Sequence, residues 1–127
     1  MKQQQSGTIV VISSVAGDRG RASNYIYGAA KAMVSTFAEG LRNRLFGTGV
    51  HVITVKPGFV DTPMTEDFKK GLLCVQPEDI AAGILRAVDK KKSVVYLPKY
   101  WWVIIFIIKT LEDNVLYFYS PSDIKKK

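Results

Sequence analysis

Three side chains near the start of this sequence could together move a proton on and off an oxygen: Ser14, Tyr27 and Lys31. In Tyr27-Gly28-Ala29-Ala30-Lys31 the phenol and the amine are spaced i, i+4, so a helix puts them on one face, within reach of each other. A phenol with an ordinary pKa of ~10 is a poor acid or base at neutral pH. A neighbouring ammonium favours the phenolate and brings the group toward working pH. Ser14 lies 13 positions before Tyr27, at the end of an apolar run, where its hydroxyl can hydrogen-bond and orient a substrate carbonyl. A Tyr-x-x-x-Lys spacing alone is common on surface helices. Combined with the serine it describes proton transfer at a carbonyl or alcohol oxygen.

The elements that must hold these groups follow from periodicity. Thr8 to Ser13 is a short β-branched run, expected of a parallel strand buried on both faces. Val15 to Arg21 is a loop carrying Gly17 and Gly20. Ser23 or Asn24 can cap a long helix running to about Phe46. On that helix Ala30, Met33, Val34, Phe37, Leu41 and Leu45 recur at three- and four-residue spacing, and packing against a sheet accounts for at least part of the stripe. Gly47-Thr48-Gly49 ends the helix, and Val50 to Val55 is a second strand. Pro77-Glu78-Asp79 opens a further helix through about Asp89, with acids in its first turn and Lys90 to Lys92 past its end, a polarity that suits the macrodipole. Ser93 to Leu97 reads as a third strand. The order is β-α-β-α-β, an α/β fold.

Three stretches carry a resemblance to a known family. They are Gly7-Thr8-Ile9-Val10-Val11-Ile12-Ser13-Ser14-Val15-Ala16-Gly17, the Tyr27–Lys31 segment, and His51-Val52-Ile53-Thr54-Val55-Lys56-Pro57-Gly58-Phe59-Val60-Asp61-Thr62-Pro63-Met64. In this order and spacing, over about residues 6 to 97, the chain resembles the short-chain dehydrogenase/reductase family. The resemblance implies a catalytic Ser14, Tyr27 and Lys31. It also implies an NAD or NADP cofactor whose nicotinamide end meets Tyr27, Lys31, Pro57, Gly58, Val60 and Thr62. Members of the family pair through the long helix, so a homodimer is implied in the full-length form.

The family's domain is about twice this long and begins with a Gly-rich turn that holds the dinucleotide phosphates. No such turn, and no family active-site asparagine, occurs among these 127 residues. The expectation is therefore the C-terminal half of a Rossmann-like doubly wound parallel sheet, followed by an apolar C-terminal helix, with the N-terminal phosphate-binding half absent. Residues 1–98 would form the partial catalytic domain and residues 99–127 an apolar terminal segment. The chain alone is expected to be inactive.

Composition fits one compact domain: 47% of residues are hydrophobic and 23% charged. The single cysteine, Cys74, excludes an internal disulfide and agrees with a reducing, cytoplasmic compartment. His51 has no Cys, His or Asp at ligand spacing, so no metal site is expected. The net charge of +7 is concentrated in Lys90–Lys92 and Lys125–Lys127. Without an aromatic-studded strand or nucleic-acid motif, these clusters point to solvent or anionic lipid rather than to nucleic acid.

Tyr100-Trp101-Trp102-Val103-Ile104-Ile105-Phe106-Ile107-Ile108 is an unbroken apolar run between Lys99 and Lys109. A bilayer span needs about 20 residues, so the run is too short to cross. It fits either an interfacial helix on a membrane surface or a buried terminal helix. Within the family, these motifs and the Trp-rich tail look like reductases of polyprenyl-phosphate-linked keto-pentoses, decaprenylphosphoryl 2-keto-pentose reductase being the example. Leu111 to Lys127 departs from that pattern. Two function classes follow: an NAD(P)-dependent oxidoreductase acting on a small-molecule or lipid-linked carbonyl, and a non-catalytic fragment acting as an interaction or membrane-associated module.

Overall fold

The computed structural model describes residues 1, 3–58 and 76–110. Three strands, β1 (Gly7–Ile12), β2 (Val50–Pro57) and β3 (Val94–Leu97), form one parallel sheet in the order β1-β2-β3. Helix α1 (Tyr25–Arg44) joins β1 to β2, α2 (Pro77–Asp89) precedes β3, and α3 (Trp101–Thr110) follows it. The α/β architecture and parallel sheet match the sequence expectation. Gly7 pairs with Val50 and Ile12 with Val55, while Thr54 pairs with Val94 and Pro57 with Leu97. All three strands therefore end on one edge of the sheet, the edge at which open α/β folds place their ligands.

Pleating sends alternate residues of β2 to opposite faces. Ile53 and Val55 are fully buried with Ile80, Ala87 and Leu97, and Val10, Ile84, Val88 and Val95 close this core beneath α2. On the other face Thr54 meets α1: Arg42 Nη2 donates to Thr54 Oγ1 at 2.7 Å and to Ser93 O at 2.9 Å, and Nε donates to Val52 O at 3.1 Å. One guanidinium thus fastens α1 to β2 and to the entry of β3.

The face that α1 turns to the sheet is not its apolar stripe. Gly28 and Ala38 are its buried residues, and Lys31, Ser35 and Arg42 share their side of the helix at three- and four-residue steps. Met33 and Phe37, which the periodicity assigns to one stripe with Leu41 and Leu45, are exposed; Leu41 and Leu45 are half-buried. Small side chains let the helix approach the sheet closely, and the polar ones satisfy strand and loop backbone there. Asn24 occupies the N-cap position without a side-chain cap bond, and Gly47 follows the helix at φ 80, a left-handed conformation that favours glycine.

Helix α3 has two distinct sides. Trp101 (6% exposed) and Ile105 are buried, whereas Trp102 (60% exposed), Val103, Phe106 and Ile107 face outward. The sequence offers an interfacial helix and a buried one as alternatives; the structure buries one side of the helix and leaves the other exposed. Among the described residues no helix is long and apolar enough to cross a membrane.

Candidate active site

The end of β1 is tied to the first turns of α1 by a set of short contacts. Ser13 is buried, its N–H donating to Val55 O at 2.8 Å. Its Oγ donates to Lys31 O at 3.0 Å and lies 2.6 Å from Ser35 Oγ. Ser14, also buried, adopts an extended backbone, and its Oγ accepts the Ala16 N–H at 3.1 Å, capping the 3-10 turn Val15–Gly17. That turn lies directly on α1. A Cβ on Gly28 would stand 2.8 Å from Ala16 O, and one on Gly17 would stand 2.7 Å from the Ala32 backbone N. Neither space admits a side chain, so both glycines are required by the approach of the two backbones.

This junction brings Ser14, Tyr27 and Lys31 to the C-terminal end of β1. Lys31 Nζ donates to Ile12 O at 3.4 Å and lies 5.8 Å from the centre of the Tyr27 ring. Tyr27 remains partly open to solvent. Because Ser14 Oγ accepts its bond from Ala16, the serine O–H is left as a donor. The group therefore offers a phenol, a hydroxyl donor and a cation on one strand end and the helix beside it. Asn24 Oδ1, one turn before Gly28, is buried without a hydrogen-bond partner and belongs to the same locality.

Pro57 and Gly58 lie at the matching end of β2. Gly58 N–H donates to Leu97 O at 3.0 Å, and the Trp101 indole covers the residue so closely that a Cβ there would run into Nε1. Val60, Thr62 and Cys74 lie outside the described residues. His51 Nε2 is 2.7 Å from Lys92 O, a contact within the scaffold. No grouping of three His, Cys, Asp or Glu side chains suited to a metal occurs among the described residues.

A charged cluster that motif reasoning did not single out holds the loop to the sheet. Asp18 Oδ1 and Lys56 Nζ are 2.7 Å apart, with side chains only 5% and 14% exposed. Tyr96 OH donates to Asp18 Oδ2 at 2.5 Å, and Lys56 Nζ stands 5.3 Å from the centre of the Tyr96 ring. Burial, followed by the bond to Asp18 and its negative charge, drives the Tyr96 phenol well above the ordinary tyrosine range. The available signal was Lys56 itself: a cation inside a strand as apolar as Val50–Val55 requires an acid close by.

Comparison with known proteins gives the family and the fold. A family model described as short chain dehydrogenase matches residues 1–72. An uncharacterised oxidoreductase of Mycobacterium tuberculosis is 47% identical over 98 residues, covering 77% of this chain and 39% of its own length. One from Staphylococcus aureus is 39% identical over 99 residues, covering 74% of this chain and 41% of its own length. The chain thus spans about two-fifths of these relatives. Among solved structures, a short chain dehydrogenase from Burkholderia cenocepacia in complex with NADP superposes with a TM-score of 0.69 at 26% identity, covering 75% of this chain and 39% of the other. Serine dehydrogenase from Escherichia coli gives a TM-score of 0.60 at 28% identity, covering 74% and 40%.

Two outcomes are expected from the loop–helix junction and the charged cluster. Replacing a helical glycine by alanine ordinarily stabilises by about 1 kcal/mol. Gly28→Ala should instead destabilise by about 1–3 kcal/mol in urea unfolding, because the methyl meets backbone rather than open space. A stabilised variant would show that the turn yields. For Tyr96, a native pKa raised above the unfolded one means that its contribution is complete below ~10 and is lost as pH rises beyond it. Unfolding free energy measured upward from pH ~10 should therefore fall more steeply for the natural chain than for Tyr96→Phe. Equal slopes would refute the linkage.

Proposed function

We propose that this chain, which belongs to the short-chain dehydrogenase family, carries the proton-transfer side of an NAD(P)-dependent carbonyl–alcohol oxidoreductase. The observation that supports the proposal is the junction itself: Ser14 caps the Val15–Gly17 turn that sits on α1, and Lys31, beside the Tyr27 ring, reaches the Ile12 carbonyl at the end of β1. The Tyr27 hydroxyl gives a proton to the substrate oxygen in reduction and takes it back in oxidation. The Ser14 O–H donates to that same oxygen and fixes its direction. Lys31 sets a positive charge beside the Tyr27 ring, where negative charge on the phenol oxygen would develop.

The nicotinamide nucleotide, when bound, supplies or accepts hydride at its C4 carbon. The residues present suit one end of it. Lys31 and Tyr27 would hold the nicotinamide ribose, with Pro57, Gly58, Val60 and Thr62 along the nicotinamide. At Gly58 the Trp101 indole lies against the backbone, so the nicotinamide would meet that strand end beside the indole. The NADP complex of the Burkholderia cenocepacia neighbour supports a cofactor of this class. No Gly-rich phosphate turn lies within these 127 residues, so productive binding calls for one from elsewhere in the polypeptide or from a second chain.

Two finer readings follow. Helix α3 approaches the serine-bearing loop, since Arg19 Nη1 lies 3.4 Å from Lys109 O. A carbonyl substrate carried on a polyprenyl phosphate could rest its chain on the outward side of α3 while its sugar reaches Ser14. Residues 99–127 would then be an attached segment peripheral to a membrane surface, and residues 1–98 the catalytic part. The exposed line of Ile26, Met33 and Phe37 on α1 suits pairing with a second copy.

Joined to the N-terminal half of a short-chain dehydrogenase, the chain should reduce ketones with NADPH or NADH. Tyr27→Phe should lower turnover by at least ~10²-fold while the fold persists. A long-chain, lipid-linked ketone should be preferred to its short water-soluble analogue. Near-normal rates in Tyr27→Phe would remove the tyrosine from the mechanism, and micromolar NADPH affinity in the 127-residue chain alone would overturn the need for an added phosphate turn. For the pairing, Phe37→Glu should convert a dimer to a monomer in analytical ultracentrifugation; an unchanged mass would dismiss the α1 interface.

A further inference from the structure

We propose that the groove between α2, β3 and the start of α3 binds the headgroup of an anionic phospholipid. The inference rests on the reading that α3 lies on a membrane surface, and it names what that surface must contain. The groove measures about 610 Å³. Its floor includes Gly83 and Leu97, which pack so closely that a Cβ on Gly83 would stand 2.8 Å from Leu97 Cδ2.

Charge is distributed unevenly along it. The Lys92 N–H donates to Ala87 O at 3.0 Å, which folds the connection back and gathers Arg86, Lys90 and Lys92 where α2 turns into β3. Lys99 lines the groove beyond the other end of β3, and among the described residues Asp79 is the only acid lining it. Trp102 also lines it there, and its ring stacks 6.1 Å from that of Phe106 on the outward side of α3. Three cations at one end, and exposed aromatic surface beside the single Lys99 at the other, are complementary to a ligand that is anionic at its head and apolar beyond it. A neutral headgroup would leave the cations unmatched, and a free anion would leave the aromatic surface bare. A phospholipid in the bilayer satisfies both, with the aromatic rings at headgroup depth.

The test uses the 127-residue chain and two kinds of probe. Vesicles of phosphatidylcholine are compared with vesicles of equal parts phosphatidylcholine and phosphatidylglycerol. The natural chain should prefer the anionic vesicles, and R86Q/K90Q should reduce that preference about 30-fold, at roughly fivefold per charge. Replacing Lys125, Lys126 and Lys127 by glutamine should leave most of it. Preference that survives R86Q/K90Q, or that follows only the terminal lysines, overturns the site. Trp102→Ser with Phe106→Ser should weaken attachment to both vesicle types; indifference there defeats the membrane reading of α3 by itself. The groove is tested apart from any bilayer with monomeric dihexanoyl phosphatidylglycerol, which should shift the amide resonances of Gly83 and Leu97 while dihexanoyl phosphatidylcholine does not. No shift overturns the proposal. So does sedimentation showing a dimer that R86Q/K90Q dissolves, which gives the groove to a second copy. Shifts that emerge only after residues 111–127 are removed would give it to the chain's own end and overturn the proposal equally.

Discussion

The near-contact of the Val15–Gly17 turn with the first turns of α1 is the constraint on which the rest of this structure depends. Backbone lies against backbone there, since neither Gly17 nor Gly28 has room for a Cβ. Ser13 adds its hydroxyl between Lys31 O and Ser35, and Ser14 closes the turn through Ala16. These bonds fix the direction in which β1 delivers its last residues and the rotation of α1 about its axis. A change of one residue in that rotation would swing Tyr27 and Lys31 by about 100° away from the strand end. The candidate site and the scaffold therefore share one set of contacts.

Much of this was legible in the sequence because the signals were local. Strand runs, the glycines after α1, the Pro-Glu-Asp start of α2 and the Tyr-x-x-x-Lys spacing each depend on neighbours in the chain. The faces of α1 were less legible. Periodicity put Met33 and Phe37 in one stripe with Leu41 and Leu45, yet the sheet receives Gly28, Lys31, Ser35, Ala38 and Arg42. A hydrophobic count cannot see that close approach selects for small residues or that an arginine will find three acceptors at the end of its reach. The two tryptophans posed the same difficulty: adjacent in sequence, they fall on opposite sides of α3, because consecutive helical residues point about 100° apart.

The cluster of Asp18, Lys56 and Tyr96 was illegible for a different reason. Its members come from a loop and two strands and meet only once the sheet has formed. Each side chain is reasonable alone, and only Lys56, set in an apolar strand, hinted at a partner. The cluster links the loop after Ser14 to the strand ends that carry Gly58 and the approach to Trp101. A buried pair of this kind contributes little net stability compared with apolar packing, but removing one member is costly because the other charge is stranded. Its effect is to make the loop, β2 and β3 hold or fail together.

The two borders of the sheet differ in chemistry. β3 is four residues long, preceded by three lysines and followed by a proline, the features that keep an outermost strand from recruiting another. β1 has none of these. Its six residues, Gly-Thr-Ile-Val-Val-Ile, carry no charge and no proline, and β1 pairs with β2 alone among the described strands. Such a strand has the composition of one enclosed by neighbours on both flanks. Among the described residues no strand pairs with its outer row of amides and carbonyls. An uncharged, proline-free edge of this length is one that sheet proteins ordinarily cover with a further strand, a helix or a loop.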